Sequence, residues 1–234
     1  MLKKKTVFLL LLCLMTFYAD VKAQFYDEVV SLGSLHYGCQ VAWQIESNGM
    51  RKFAYPFDWF HTSLESLTGF MYNKGVNFLD LDKIAVIGPY PGDTSRMHVI
   101  DLVYGISSYH DFFSSPPLAN HPQVKAKYER RIRRFFDLLN SNKRILFVRQ
   151  GLSREQVEYL DCAIRSLYPH LSYTILAVND SADYLYSWGL ERIQNFYLQQ
   201  IPGDWVGDFA RWKEILSQFH VMPVTQRRPL DEVW

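Results

Sequence analysis

With 234 residues, 48% of them hydrophobic and 16% aromatic, the chain has ample material for a packed core and falls outside the disordered class. A formal net charge of +1 gives no general pull toward nucleic acid or an anionic membrane surface. Three cysteines (Cys13, Cys39 and Cys162) are too few for a disulfide framework, and no close Cys/His spacing points to zinc, so no metal or other cofactor is expected.

Lys3, Lys4 and Lys5 open the chain, Thr6 to Ala19 is nearly unbroken apolar sequence, and Val21-Lys22-Ala23 presents the residues a signal peptidase reads. That order predicts a cleaved signal over residues 1–23 and a secreted or periplasmic protein beginning at Gln24, with no membrane association after cleavage. The apolar run is shorter than the roughly 20 residues a bilayer span needs. Residues 24–234 read as a single domain.

Glu28 to Ser31 is a short strand running into Gly33. Cys39 to Ser47 reads as a helix stopped by Asn48-Gly49, and Leu64 to Tyr72 as another. Val99 to Ile106 is strand-like and delivers Tyr109-His110-Asp111 at its end. Val124 to Leu139 is a helix: Tyr128, Ile132, Phe135, Phe136 and Leu139 recur at helical spacing, and Arg130, Arg131, Arg133 and Arg134 fill the polar side. Arg144 to Arg149 is a short apolar run of the kind that forms a buried strand. Ser153, with Gln156 three residues later, opens a second helix through a capping box. Ser172 to Val178 and Arg192 to Leu198 are further strands, and Phe209 to Phe219 is a closing helix. Strand–helix–strand order predicts an α/β fold, a three-layer domain with a mostly parallel sheet flanked by helices, the first half supplying loops at one sheet edge.

Cys39 opens a helix after a glycine-bearing turn, where the helix dipole favours thiolate, as a nucleophile needs; a small buried hydrophobe is the competing reading. Cys162 lies mid-helix among apolar residues and is expected to be structural. His110, at a strand end, suits a general base. Asp58, between aromatics in the Tyr55-Pro56-Phe57-Asp58-Trp59 stretch, must be paired with an arginine such as Arg51 or with backbone amides and reads first as a pin for that loop, with holding a histidine ring or a polar substrate group as the alternative. Asp111 is the other candidate to hold the ring, although on an extended strand its side chain points away from that of His110. Arg149 ends a buried strand, where α/β sheets place ligand-binding groups. Arg134, one turn from Arg130, and Trp59 are further substrate-binding candidates. Trp205 and Trp212 are expected to pack the last helix; an exposed tryptophan there would point to a sugar platform instead.

Together Ser31-Leu32-Gly33 with Cys39, Arg51, the Tyr55–Trp59 stretch, His110-Asp111-Phe112, Arg130 and Arg134, Leu146-Phe147-Val148-Arg149 and the Trp205/Trp212 segment resemble a family of bacterial and viral proteins of unknown function described as papain-like cysteine peptidases. The resemblance implies a cysteine nucleophile at Cys39 and a histidine base at His110. No glutamine stands close upstream of Cys39, so an oxyanion falls to backbone amides at the helix start. The expected function is an exported cysteine peptidase or amidase, its substrate a peptide or a glycan. The alternative is a glycan- or nucleotide-sugar-binding domain, or a glycosyltransferase-like one, in which Cys39 is structural.

Overall fold

The computed structural model describes residues 25–35 and 37–223, so the expected signal segment lies outside the described residues. Eight strands form one mixed sheet: β1 Glu28–Ser34, β2 Phe60–His61, β3 Ile84–Tyr90, β4 Asp93–Asp101, β5 Ile106–Phe113, β6 Arg144–Gln150, β7 Ser172–Asn179 and β8 Ile193–Tyr197. Their spatial order is β3-β4-β5-β2-β1-β6-β7-β8. From β2 to β8 neighbours run parallel; from β3 to β2 they run antiparallel. Among the described residues five α-helices accompany them: α1 Gln40–Ser47, α2 Leu64–Tyr72, α3 His121–Leu139, α4 Arg154–Leu167 and α5 Phe209–Leu216.

The parallel half follows the sequence expectation closely. Ser153 caps α4, its hydroxyl accepting from the Gln156 amide while the Gln156 side chain takes the Ser153 N–H. The α4 crossover then carries the chain from β6 to an adjacent parallel β7, in register from Arg144↔Ser172 to Gln150↔Val178. Along β6 the side chains alternate between two apolar clusters. Ile145 and Phe147 join Leu67, Phe135 and Ile164, from α2, α3 and α4. Leu146 and Val148 join Val41 and Trp212, from α1 and α5. Both faces of the central strands are therefore covered, which is why these strands read as unbroken apolar runs.

The first half differs from expectation. It contributes five strands rather than edge loops, and β1 lies at the middle of the sheet. Val99 to Ile106 is not one strand: the chain reverses between Asp101 and Ile106, where both carboxylate oxygens of Asp101 accept backbone amides, Tyr104 N–H at 2.8 Å and Leu79 N–H at 2.8 Å. His110 consequently lies inside β5, not at a strand end. Arg131, expected on the solvated side of its helix, is turned inward and stacks on Tyr128 at 5.2 Å.

Candidate active site

The site grows from the carboxyl end of β1. Gly33 bulges there with φ +79, and a side chain at that position would meet the Thr62 hydroxyl at 2.4 Å, so glycine is required. Arg149, at the end of β6, drives its guanidinium into the same point and donates to Leu32 O at 2.7 Å and to Thr62 Oγ1 at 2.6 Å. It is 1% exposed, and burial pulls its pKa down to about 9. These bonds tie β6 to β1 and to the segment after β2. The site expected at Arg149 is thus a buried clasp on the backbone.

Past Ser34 the chain turns through Tyr37 and Gly38 and enters α1 at Cys39, whose carbonyl accepts the first helical bond from Trp43 at 3.0 Å. Gln40 is fully engaged: its amide nitrogen donates to Trp205 O at 3.0 Å, and its oxygen accepts from Gln150. Gln44 donates to Val206 O at 2.8 Å. The Gln200–Asp208 segment is thereby strapped across the start of α1, with Trp43 edge-on to both Trp205 and Phe209. An open cleft of about 420 Å³, lined by Leu35, Tyr37, Asp180, Gln200, Ile201 and Pro202, lies beside it at the carboxyl ends of β1, β7 and β8.

The Cys39 thiol is not depressed as a helix start alone would suggest. Burial pushes it up to about 12, and the Asp111 and Asp58 carboxylates add to the shift. Cys39 therefore rests as a neutral thiol at physiological pH. Asp111 is held by Lys127, by the Ser108 hydroxyl at 2.9 Å and by the Tyr128 hydroxyl at 3.0 Å. Burial alone would raise its pKa; the Lys127 ammonium and these hydrogen bonds bring it below the ordinary value. Asp58 takes Arg51 at 2.7 Å and the Tyr55 amide at 2.9 Å, yet burial outweighs them and raises its pKa. Asp58 is thus the pin of the Arg51–Trp59 loop, paired with Arg51 and a backbone amide as its buried setting predicts, while Asp111, a candidate to hold the His110 ring, is built into an ion pair that fastens α3.

His110 is exposed, its ring edge-on to Tyr90 at 5.4 Å. Burial lowers its pKa, with Asp111 opposing, Arg96 adding and Asp93 opposing. Tyr90, Arg96 and Asp93 all stand on the β3–β4 side of β5, away from β1. Among the described residues no hydrogen bond or ion pair joins His110 to Cys39.

A different histidine stands next to the cysteine's backbone. A side chain added at Gly38, the residue immediately before Cys39, would meet the His61 ring at 2.7 Å and the Phe60 carbonyl carbon at 2.6 Å. His61 closes β2, pairs with Ser34 across the sheet, and is partly open to solvent. Reading the sequence missed it because the residue follows an aromatic run that looks like core. The available signal was its place two residues before Ser63, which caps α2 with its hydroxyl: strand ends that feed a helix are where α/β folds put site residues.

The other sequence candidates are structural in their contacts. Trp59 is 9% exposed beneath the Arg51 guanidinium, 5.3 Å away. Arg134 donates to Ala54 O at 2.8 Å and covers the Phe53 ring. Trp212 is fully buried, as expected, whereas Trp205 is 44% exposed on the strap. Cys162, expected inside, faces solvent on α4 because its position falls on the helix's outer side; both it and Cys39 are free thiols. Among the described residues no group of three or more His, Cys, Asp or Glu is arranged to hold a metal ion.

Comparison with known proteins agrees with the resemblance. A family model described as "Putative papain-like cysteine peptidase (DUF1796)" matches residues 27–181, which run from β1 to the end of β7 and include Cys39, His61, His110 and both carboxylates. A protein of Acanthamoeba polyphaga mimivirus, described as uncharacterized protein R408, is 30% identical, and the similarity covers 80% of this chain and 96% of that protein. No solved structure matches.

Proposed function

We propose, from the premise that the chain belongs to the DUF1796 family, that it is an exported acyl-transfer enzyme, a peptidase or amidase, with Cys39 as nucleophile and His61 as its base. The observation that carries the reading is the packing of the His61 ring against Gly38, one residue from a cysteine that opens a helix. The neutral thiol would pass its proton to the His61 imidazole as the sulfur bonds to the substrate carbonyl carbon. The imidazolium returns the proton to the departing amine as the C–N bond breaks. Water, with His61 again as base, then cleaves the thioester, releasing the acid and restoring the thiol. First-turn backbone amides of α1, aided by the helix dipole, would meet the oxyanion. On this reading the helices on the two faces of the sheet complete a three-layer domain spanning residues 24–234.

Alkylation with iodoacetamide across pH, followed by peptide mapping, tests the pair, and exposed Cys162 supplies an internal reference thiol in the same molecule. A lone thiol of pKa about 12 reacts negligibly near neutrality. Base assistance should therefore show as a Cys39 reaction near neutral pH that falls by about 10²-fold or more in His61→Ala and stays in place in His110→Ala. Loss in His110→Ala instead would restore the sequence-based pair. Absence of any such reaction in the wild type would favour the second reading, a glycan- or nucleotide-sugar-binding domain with a structural Cys39, which the raised thiol pKa on its own supports. Export has a separate test: intact mass of the protein from its native host should begin at Gln24, and a full-length soluble chain overturns it.

A further inference from the structure

The antiparallel wing has two unlike faces. Phe60, Met97, Val99, Ile106 and Phe112 point into the core. On the other face His61 stands opposite Ser107, and Tyr109, two residues further along β5, shares its side. There the rings form a connected strip. His61 meets Tyr109 edge-on at 5.1 Å, His98 stacks on Tyr109 at 4.4 Å, Tyr90 meets Tyr109 at 5.3 Å, and His110 is edge-on to Tyr90 at 5.4 Å. Every one of these rings remains at least partly open to solvent. The strip begins at the ring beside Gly38 and runs outward across β5 to the tip of the β3–β4 hairpin.

We infer that this strip is the substrate shelf of the Cys39 site and takes about three extended residues of an uncharged peptide bearing aromatic or proline side chains, an inference that rests on the acyl-transfer reading above. Its length sets the number: from His61 through Tyr109 to Tyr90 is at most about 10 Å, and extended chain advances about 3.3 Å per residue. Its chemistry sets the class. Ring faces and edges offer stacking and edge-to-face contacts, and aromatic and proline side chains lose little conformational entropy on meeting them. Desolvation lowers the pKa of His98 and His110 and so disfavours their charged forms, and the fixed charges flanking the strip, Asp93 and Arg96, stand together at its outer end and are of opposite sign. Among the described residues the rings between the two ends of the strip, those of Tyr109 and His98, bring no carboxylate, ammonium or guanidinium to it.

Calorimetric titration in a Cys39→Ala background removes chemistry from the measurement. Acetyl-Tyr-Pro-Phe-amide should bind about tenfold or more tighter than acetyl-Ala-Ala-Ala-amide. That preference should largely vanish in Tyr109→Ala and in Tyr90→Ala, the latter on an edge strand where a fold defect is least expected, and should persist in Tyr186→Ala, an exposed tyrosine remote from the strip. Equal binding of the two peptides, a preference untouched by both strip substitutions, or tighter binding of an N-acetylglucosamine hexasaccharide each overturns the inference. A Cys39 that fails the alkylation test while the peptide preference stands sinks the enzyme reading and leaves the shelf as a peptide-binding surface. A reactive Cys39 without the preference sinks the shelf alone.

Discussion

Asp111→Ala should destabilise the protein by about 3–5 kcal/mol, the usual cost of removing one partner from a buried ion pair. Asp111 is buried in β5 and gathers Lys127 and Tyr128 from α3 together with Ser108 from its own strand. Without the carboxylate the Lys127 ammonium, largely buried, and the Tyr128 hydroxyl, fully so, lose their acceptor, and α3 loses its polar tie to the wing. The effect has a pH signature. The native pKa of Asp111 lies below its unfolded value, so the unfolded chain binds the proton more readily. The stability it contributes is complete above the ordinary aspartate value and disappears as pH falls through the depressed native one. Urea titrations of wild type and variant should therefore show a gap that is wide at neutral pH and narrows in acid; a gap independent of pH would contradict the assignment. Because Asp111 also raises the Cys39 pKa, the variant's thiol should titrate lower.

Gly38→Ala should leave a folded protein with little chemistry. The added carbon meets the Phe60 carbonyl carbon at 2.6 Å and the His61 ring at 2.7 Å. The first neighbour is backbone of a paired strand, so it yields poorly, and the start of α1 must move away from β2. Overpacking of this kind costs about 1–3 kcal/mol. Its kinetic cost is of similar size but falls wholly on the site, since a shift of about 1 Å between nucleophile and base can lower a rate by about 10²-fold. The base-assisted alkylation of Cys39 near neutral pH should fall by that order while Cys162 reacts as before. An unchanged Cys39 rate in a variant of normal fold would separate the cysteine from His61 and remove the central support for the pair.

How far the sequence carried the structure depends on which segment is considered. β6, α4 and β7 were legible because each obeys one local rule without interruption: an apolar run, a capping box with helical periodicity, a second apolar run. The wing was opaque for an equally local reason. Its strands have one face half-open, so polar and apolar residues mix, and β3 ends in Gly88-Pro89, which reads as loop. The apolar residues of Asp101-Leu102-Val103-Tyr104-Gly105 concealed a reversal held by the Asp101 carboxylate, and that concealment moved His110 to a strand end it does not occupy. The place of Cys39 at the head of α1 was legible because a helix start is visible in sequence. The histidine proposed as its partner was missed because the contact between Gly38 and His61 joins residues 23 positions apart through a two-residue strand too short to leave a periodic pattern. The thiol's raised pKa was beyond reach for the same reason, since it arises from burial and from carboxylates on β5 and on the loop before β2.

The strap across α1 has a meaning for the order in which the molecule is made. A chain leaving the ribosome presents Cys39 early, but Gln40 and Gln44 find their acceptors only on Trp205 and Val206, and β1 finds its β6 partner only after Arg144 has emerged. The contacts that fix the helix start thus close late, after more than a hundred further residues have been joined by peptide bonds, and pairings so distant in sequence form slowly. A chain cut short before the strap would carry the thiol without the clamp that positions it. The start of α1 is therefore tied down on this side only in a molecule that already includes Trp205 and Val206.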